Sequence, residues 1–199
     1  MKEYYDTRAP EYDEWYLGQG RFAGLDRPDW DEDVAALQRS MTAMPPARTL
    51  DVACGTGYLT RHLRGEVTGL DQSKRMLAIA AGRLASAELV CGDALALPFA
   101  NDRFDRVFAA HFYGHLERCE RERFLDEARR VAPELVIVDS AVRPRHEPEE
   151  WQQRVLNDGS RFEVFKRYFT AAQLLEELGG GSVLHAGRWF VAVRSPRRP

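Results

Sequence analysis

Short apolar runs alternate with helix-patterned stretches through the middle of this chain, and that alternation restricts its fold more than any other feature of the sequence. Thr49-Leu50-Asp51-Val52-Ala53 runs into a glycine loop, and Val67-Thr68-Gly69-Leu70, Glu88 to Cys91, Phe104 to Ala110 and Leu135 to Val138 follow. Each run is short and bounded by turn residues, so each reads as a strand. Tyr58 to Leu63 has room for a short helix. Ser73 stands as an N-cap before Lys74 to Leu84, which sets Met76, Leu77, Ala80 and Leu84 on one face, and Arg121 to Val131 does the same with Phe124, Leu125 and Ala128. Strand–helix–strand crossovers are right-handed and lay helices on both faces of a parallel sheet. The expected fold is α/β, a doubly wound and mostly parallel sheet. Its end differs: Thr170 caps a helix through Leu178, Gly179 to Gly181 stop it, and Ser182 to Ala186 face Trp189 to Arg194 across Gly187-Arg188. That C-terminal antiparallel hairpin brings the sheet to seven strands.

The 199 residues suit one domain of ordinary size. The reading is a single domain, 1–199, with an N-terminal segment and helix at 1–45, a core at 46–140, an insert at 141–169 and the closing helix and hairpin at 170–199. Aromatics crowd the N-terminal segment (Tyr4, Tyr5, Tyr12, Trp15, Tyr16, Phe22) and the insert (Trp151, Phe162, Phe165, Tyr168, Phe169). Both additions are placed to cover a site. A net charge of −3 gives no electrostatic case for a nucleic-acid partner, and the basic run Arg194 to Arg198 reads as a solvated tail. Cys54, Cys91 and Cys119 suit neither a disulfide framework nor a zinc site. With no signal-peptide pattern at Met1 to Asp6 and no apolar span, the expectation is a cytoplasmic protein without membrane insertion, as monomer or homodimer.

In open parallel sheets ligands bind beyond the carboxyl ends of the strands, where strand order reverses. Three of the runs carry an acid near or just beyond that end: Asp51 before Gly55-Thr56-Gly57, Asp71, and Asp93 in Gly92-Asp93-Ala94. The glycines let the backbone turn tightly and approach a ligand, though such a pair also serves a plain strand-to-helix turn. Asp71 is spaced to accept from both hydroxyls of a ribose, or to cap the helix near Ser73. Asp93 can accept from an exocyclic amine such as adenine's while Ala94 offers its N–H to a ring nitrogen, or it is simply a turn residue. A dinucleotide needs its pyrophosphate at a helix N-terminus, usually beside a third glycine, whereas this loop continues Gly57-x-x-Thr60. Asp51 would repel a pyrophosphate and suits an ammonium group. S-adenosylmethionine (SAM), with an amino-acid end, a ribose, an adenine and no phosphate, matches the three acids in order.

These stretches resemble the successive motifs of class I SAM-dependent methyltransferases, in the ubiquinone and menaquinone methyltransferase-like branch: Leu50 to Gly57, Val67 to Ser73, and Gly92-Asp93-Ala94-Leu95-Ala96-Leu97-Pro98-Phe99. Ala9-Pro10-Glu11-Tyr12-Asp13 is similar to that family's N-terminal lid motif, Met76-Leu77 to its helix after the second strand, and Arg167 to Leu178 with the hairpin to its C-terminal closure. The resemblance implies a Rossmann-like fold and a cofactor site made of Tyr12, Asp51, Ala53, Gly55, Gly57, Asp71, Gln72, Met76, Asp93, Ala94 and Ala110. Gly55 and Gly57 would approach the methionine part, and Tyr12 would lie over the cofactor. The chain departs from the family at Arg130-Val131-Ala132-Pro133-Glu134, which lacks the usual glycine pair, and in its short helix after Gly57.

Methyl transfer from a sulfonium is an in-line displacement for which an enzyme supplies alignment and a dry site, with no metal required. Where the accepting atom must lose a proton, His111 and His115 after the fourth strand are the candidate bases; otherwise they orient a substrate or pack against the pocket. Tyr113 between them is placed to orient a substrate through its hydroxyl. The expected acceptor is a small molecule, and the aromatic additions suit an apolar or aromatic one unless they are the hydrophobic faces of covering helices. A non-catalytic protein binding SAM or S-adenosylhomocysteine (SAH), and a nicotinamide-dependent oxidoreductase, are the alternatives from other classes.

Overall fold

A computed structural model describes residues 1–144 and 147–196. Its centre is a seven-stranded sheet made of β1 (Thr49–Val52), β2 (Val67–Asp71), β3 (Glu88–Cys91), β4 (Arg106–Ala110), β5 (Glu134–Ser140), β8 (Ser182–Ala186) and β9 (Phe190–Pro196), in the order β3-β2-β1-β4-β5-β9-β8. The first five strands pair in parallel, Asp51 beside Gly69 and Phe108, while β9 runs antiparallel to both β5 and β8. Winding outward in both directions from β1 and β4 gives this Rossmann-like sheet its crevice between those two strands.

Both faces of the sheet are buried, so the central strands read as unbroken apolar runs. In β5, Leu135 and Ile137 join one core with Leu50, Val52, Phe124 and Leu174, while Val136 and Val138 join the other with Phe108, Phe190, Leu37 and Met41. The first core is covered by α5 (Arg118–Val131) and α6 (Ala171–Glu177), the second by α3 (Trp30–Ala43). Helix α4 (Lys74–Arg83) starts at Ser73, whose hydroxyl accepts from the Met76 N–H at 3.2 Å, and α6 starts at Thr170, which forms a capping box with Gln173. A second capping box, Glu117 with Glu120, starts α5 three residues before the sequence places it.

Three local expectations give way to tertiary packing. Tyr58 to Leu63 shrinks to one 3-10 turn, Thr60–His62, because Tyr58 stacks on Tyr16 with ring centres 4.1 Å apart and Leu59 is buried in the second core. Among the described residues the insert makes no helix of the kind its aromatics could have faced: β6 (Glu149–Val155) and β7 (Arg161–Arg167) form a separate antiparallel ribbon. Its inner face packs Val164, Leu156 and Phe162 against Tyr4 of α1 (Lys2–Arg8). Arg194 is no tail residue; it lies half-buried in β9 with its guanidinium 3.8 Å from Glu134, and Arg197 and Arg198 fall outside the described residues.

The N-terminal segment adds no strand. Helices α1 and α2 (Glu14–Leu17) lie over the carboxyl ends of β1 and β2. The Ser73 hydroxyl donates to Asp6 at 2.6 Å, the Thr56 hydroxyl to Asp13 at 2.6 Å, and Arg83 pairs with Asp13 at 2.6 Å. Among the described residues, no helix is long and apolar enough to cross a membrane.

Candidate active site

The loop leaving β1 turns on backbone conformations that side chains resist. Gly55 and Gly57 have φ of +55° and +74°, and Ala53 is held at +58°, a strained value for a residue with a Cβ. A Cβ on Gly55 would stand 3.8 Å from the Tyr12 ring, so Tyr12 covers the loop; one on Gly57 would meet Leu84 at 2.8 Å. Gly57 therefore serves the packing of the loop against the end of α4.

Asp71 closes the loop from the other side. Its two carboxylate oxygens accept from the Gly55 N–H at 2.9 Å and the Ser73 N–H at 2.8 Å, while the helix cap itself is Ser73. Burial pushes its pKa up and the backbone donors pull against that shift. Each oxygen keeps a further acceptor position, and Asp71 lines a cleft of about 840 Å³, open to solvent on one side. Around the same cleft stand Tyr12, Ala53, Gly55, Gln72, Met76, Asp93, Ala94 and Ala110, with His111 and His115. At its rim the Asp93 carboxylate accepts from the Leu95 N–H at 2.9 Å, an Asx turn that fixes its direction. Asp51 and Gly57 do not line this cleft. The sequence reading missed Phe112, Leu116 and Glu120, which do; the first two belong to the loop that carries the histidines and Glu120 to the first turn of α5, and no motif marks them.

Asp51 occupies a recess of about 280 Å³ that shares Tyr12, Ala53 and Ala110 with the cleft. One of its oxygens accepts from the Thr60 hydroxyl at 2.5 Å; the other is buried with no partner. Burial raises its pKa to about 8 against the pull of the Thr60 bond. A buried unpaired carboxylate oxygen costs stability, and a cationic donor relieves it.

The loop after β4 brings the two histidines together and separates Tyr113 from them. His111, at φ +54°, is packed edge-on against Trp15, Tyr16 and Phe190 with both ring nitrogens unpartnered. His115 places Nδ1 2.7 Å from the Phe165 carbonyl, which makes that nitrogen the donor and leaves Nε2 as acceptor. Burial lowers both pKa values to about 3. Tyr113 is buried in the first core and donates its hydroxyl to Glu177 at 2.7 Å, so it does not reach the cleft.

A second cavity of about 1190 Å³ adjoins the first and shares Tyr5, Tyr12, His111 and His115 with it. The ribbon, β5 and the N-terminal segment line it, and it opens to solvent. Beneath it Lys166 pairs with Asp139 at 2.6 Å, both buried. Burial works to raise the Asp139 pKa, but the Lys166 ammonium overrides it and holds the carboxylate below its ordinary range.

Comparison with known proteins places these features in a family. Residues 49–134 match the model of a methyltransferase domain. A demethylmenaquinone methyltransferase of Thermotoga maritima is 37% identical over 132 residues, 64% of this chain and 54% of that protein. The chain spans about half the length of the curated relatives it matches. Solved structures align over almost the whole chain: DhpI in complex with SAM and HEP has a TM-score of 0.78 and 31% identity, covering 98% of this chain and 95% of that one. Its complex with SAH gives a TM-score of 0.75 at 31% identity, covering 99% and 95%.

Proposed function

We propose that this chain, which belongs to the class I SAM-dependent methyltransferases, transfers a methyl group from SAM to a small-molecule acceptor. The observation that carries the reading is the cleft at the β1–β4 crevice, where the glycine loop, Asp71, Asp93 and Ala94 share one wall and a buried Asp51 oxygen waits without a partner in the adjoining recess. Those donors and acceptors fit the cofactor. Asp71 would accept from the ribose hydroxyls on lone pairs its two backbone donors leave open, and Asp93 with the Ala94 N–H would hold the adenine edge. Asp51 would take the ammonium group. SAM, when bound, supplies a methyl group already activated on a sulfonium.

What remains for the protein is to align the acceptor and exclude water. Tyr5 and Tyr12, contributed by the N-terminal segment, line both cavities and form the partition over which an acceptor meets the cofactor. His111 and His115 stand at the same partition. With pKa values near 3 they are neutral at pH 7 and weak as bases. Of the roles open to them, orienting the acceptor through a neutral ring nitrogen is the one this environment favours.

The test is formation of SAH from SAM when the protein is incubated with a panel of small acceptors. Turnover with at least one acceptor, removed when the cleft is blocked by excess SAH, is expected. Tight SAH binding with no turnover on any acceptor would instead mark a non-catalytic binding protein.

A further inference from the structure

We infer that the second cavity is an oxyanion site, so that the acceptor carries a carboxylate or a phosphate-type group; this rests on the methyltransferase reading and names its substrate class. The net charge of the whole chain is −3, yet among the described residues five cationic side chains, Arg8, Arg27, Arg143, Arg154 and Lys166, line this cavity against one carboxylate, Asp26. Asp139 behind the wall offsets Lys166 alone. Cations gathered in a half-enclosed space repel one another and lose hydration, and a bound anion removes both costs.

All of these groups line the same space, and Arg27, Arg154 and Lys166 keep donors unused. Arg143 lies 4.5 Å from the centre of the Trp189 ring and is hydrogen-bonded to Tyr168, so it contributes charge to the wall. Arg27 lies 3.9 Å from that of Trp30 and spends one donor on the Trp15 carbonyl at 2.8 Å. Stacking fixes the plane of the Arg27 guanidinium and leaves its remaining edge for an oxyanion. Arg154 is held by Gln152 on the ribbon, and its Nε is buried with no hydrogen-bond partner. Buried donors are ordinarily satisfied, so an orphan guanidinium N–H in a cationic cavity indicates an acceptor from outside the chain. Lys166 uses one ammonium donor on Asp139 and retains two. Two of the aromatics that suggest an apolar acceptor from sequence alone, Tyr12 and Tyr168, lie beneath Arg8 and Arg143.

The experiment titrates inorganic phosphate and succinate, with choline as a cationic control, into the protein saturated with SAH, following the emission of Trp15, Trp30 and Trp189, which line the cavity. Saturable binding of phosphate or succinate but not choline is expected, and which of the two binds more tightly separates the phosphate-type from the carboxylate source. Arg154→Gln and Arg143→Gln should each weaken that binding about tenfold or more, the loss of one charge-assisted contact, while SAH affinity stays within about twofold. The wild-type titration stands even if one variant fails to fold. Absence of saturable oxyanion binding to the SAH complex, equal binding of choline, or oxyanion affinity untouched in both variants would overturn the proposal. Failure of the methyltransferase reading would show separately, as failure to bind SAH in the first step.

Discussion

Asp51 makes cofactor binding depend on pH in a direction that can be worked out in advance. Its carboxyl is buried, keeps one oxygen unpartnered and titrates at about 8, so at pH 7 about nine-tenths of the free protein carries it protonated. An ammonium group docked beside it favours the ionised form. Binding of SAH at pH 7 should then release close to one proton. Below the Asp51 pKa, affinity should rise about tenfold for each unit of pH, each unit being worth about 1.4 kcal/mol, and it should level off as pH passes 8. Between pH 6 and 7.5 the ligand's own ammonium stays charged, which isolates the carboxyl. Calorimetric titration of SAH in two buffers of different ionisation enthalpy reads the proton count directly. Asp51→Asn keeps an oxygen for the Thr60 hydroxyl but cannot ionise, so it should lower affinity at pH 7.5 and remove the proton release. Flat affinity across this range in the parent, or a variant binding as tightly as the parent at pH 7.5, would refute the ammonium role.

Other consequences follow from the same geometry. Asp71→Ala removes the acceptor for Gly55 N–H and Ser73 N–H as well as the proposed ribose contacts, so SAH affinity should fall by about 100-fold or more, whereas Asp93→Ala should cost less because Asp93 braces only the Leu95 N–H; calorimetry on variants that still unfold cooperatively ranks the two. His111 and His115 have folded pKa values near 3, below the unfolded value near 6.5, so the stability they contribute is present above about pH 6.5 and lost as pH falls toward 3. Denaturant melts of His111→Phe should show a weaker loss of stability between pH 6.5 and 4 than the parent; an identical slope would contradict the burial argument. Hydrogen exchange across residues 1–22 should slow when SAH binds, since Tyr5 and Tyr12 line the cleft and the segment is tied down by polar contacts at Asp6 and Asp13. Unchanged exchange would make this a static wall and not a lid.

The sheet was legible in the sequence because β1, β2, β4 and β5 are buried almost throughout, and these strands and the half-covered edge strand β3 each end at a polar or glycine turn, a pattern that survives without knowledge of the packing. The acids at those ends were legible for the same reason, since a carboxylate at the carboxyl end of a buried strand has few structural uses. How the loops settle was not. Gly57 reads like Gly55, but Leu84 from the end of α4 claims the space beside it. Tyr113 reads like its histidine neighbours until Glu177, 64 positions away, takes its hydroxyl. The ribbon did carry a local signal, Asn157-Asp158-Gly159 between alternating stretches, but the aromatics of the insert obscured it. The cationic wall could not be seen at all: Arg8, Arg27, Arg143, Arg154 and Lys166 are scattered from the first helix to the ribbon, and acids elsewhere cancel them in the total charge.

The central claim, that the β1–β4 crevice is a SAM site, is tested most directly by calorimetric titration of the purified protein with SAH and, separately, with NADH. One molecule of SAH bound per chain, with no heat from NADH beyond dilution, is the result predicted from a loop without the third glycine of a pyrophosphate site and from the three acids. Binding of NADH in preference to SAH, or of neither, would contradict it.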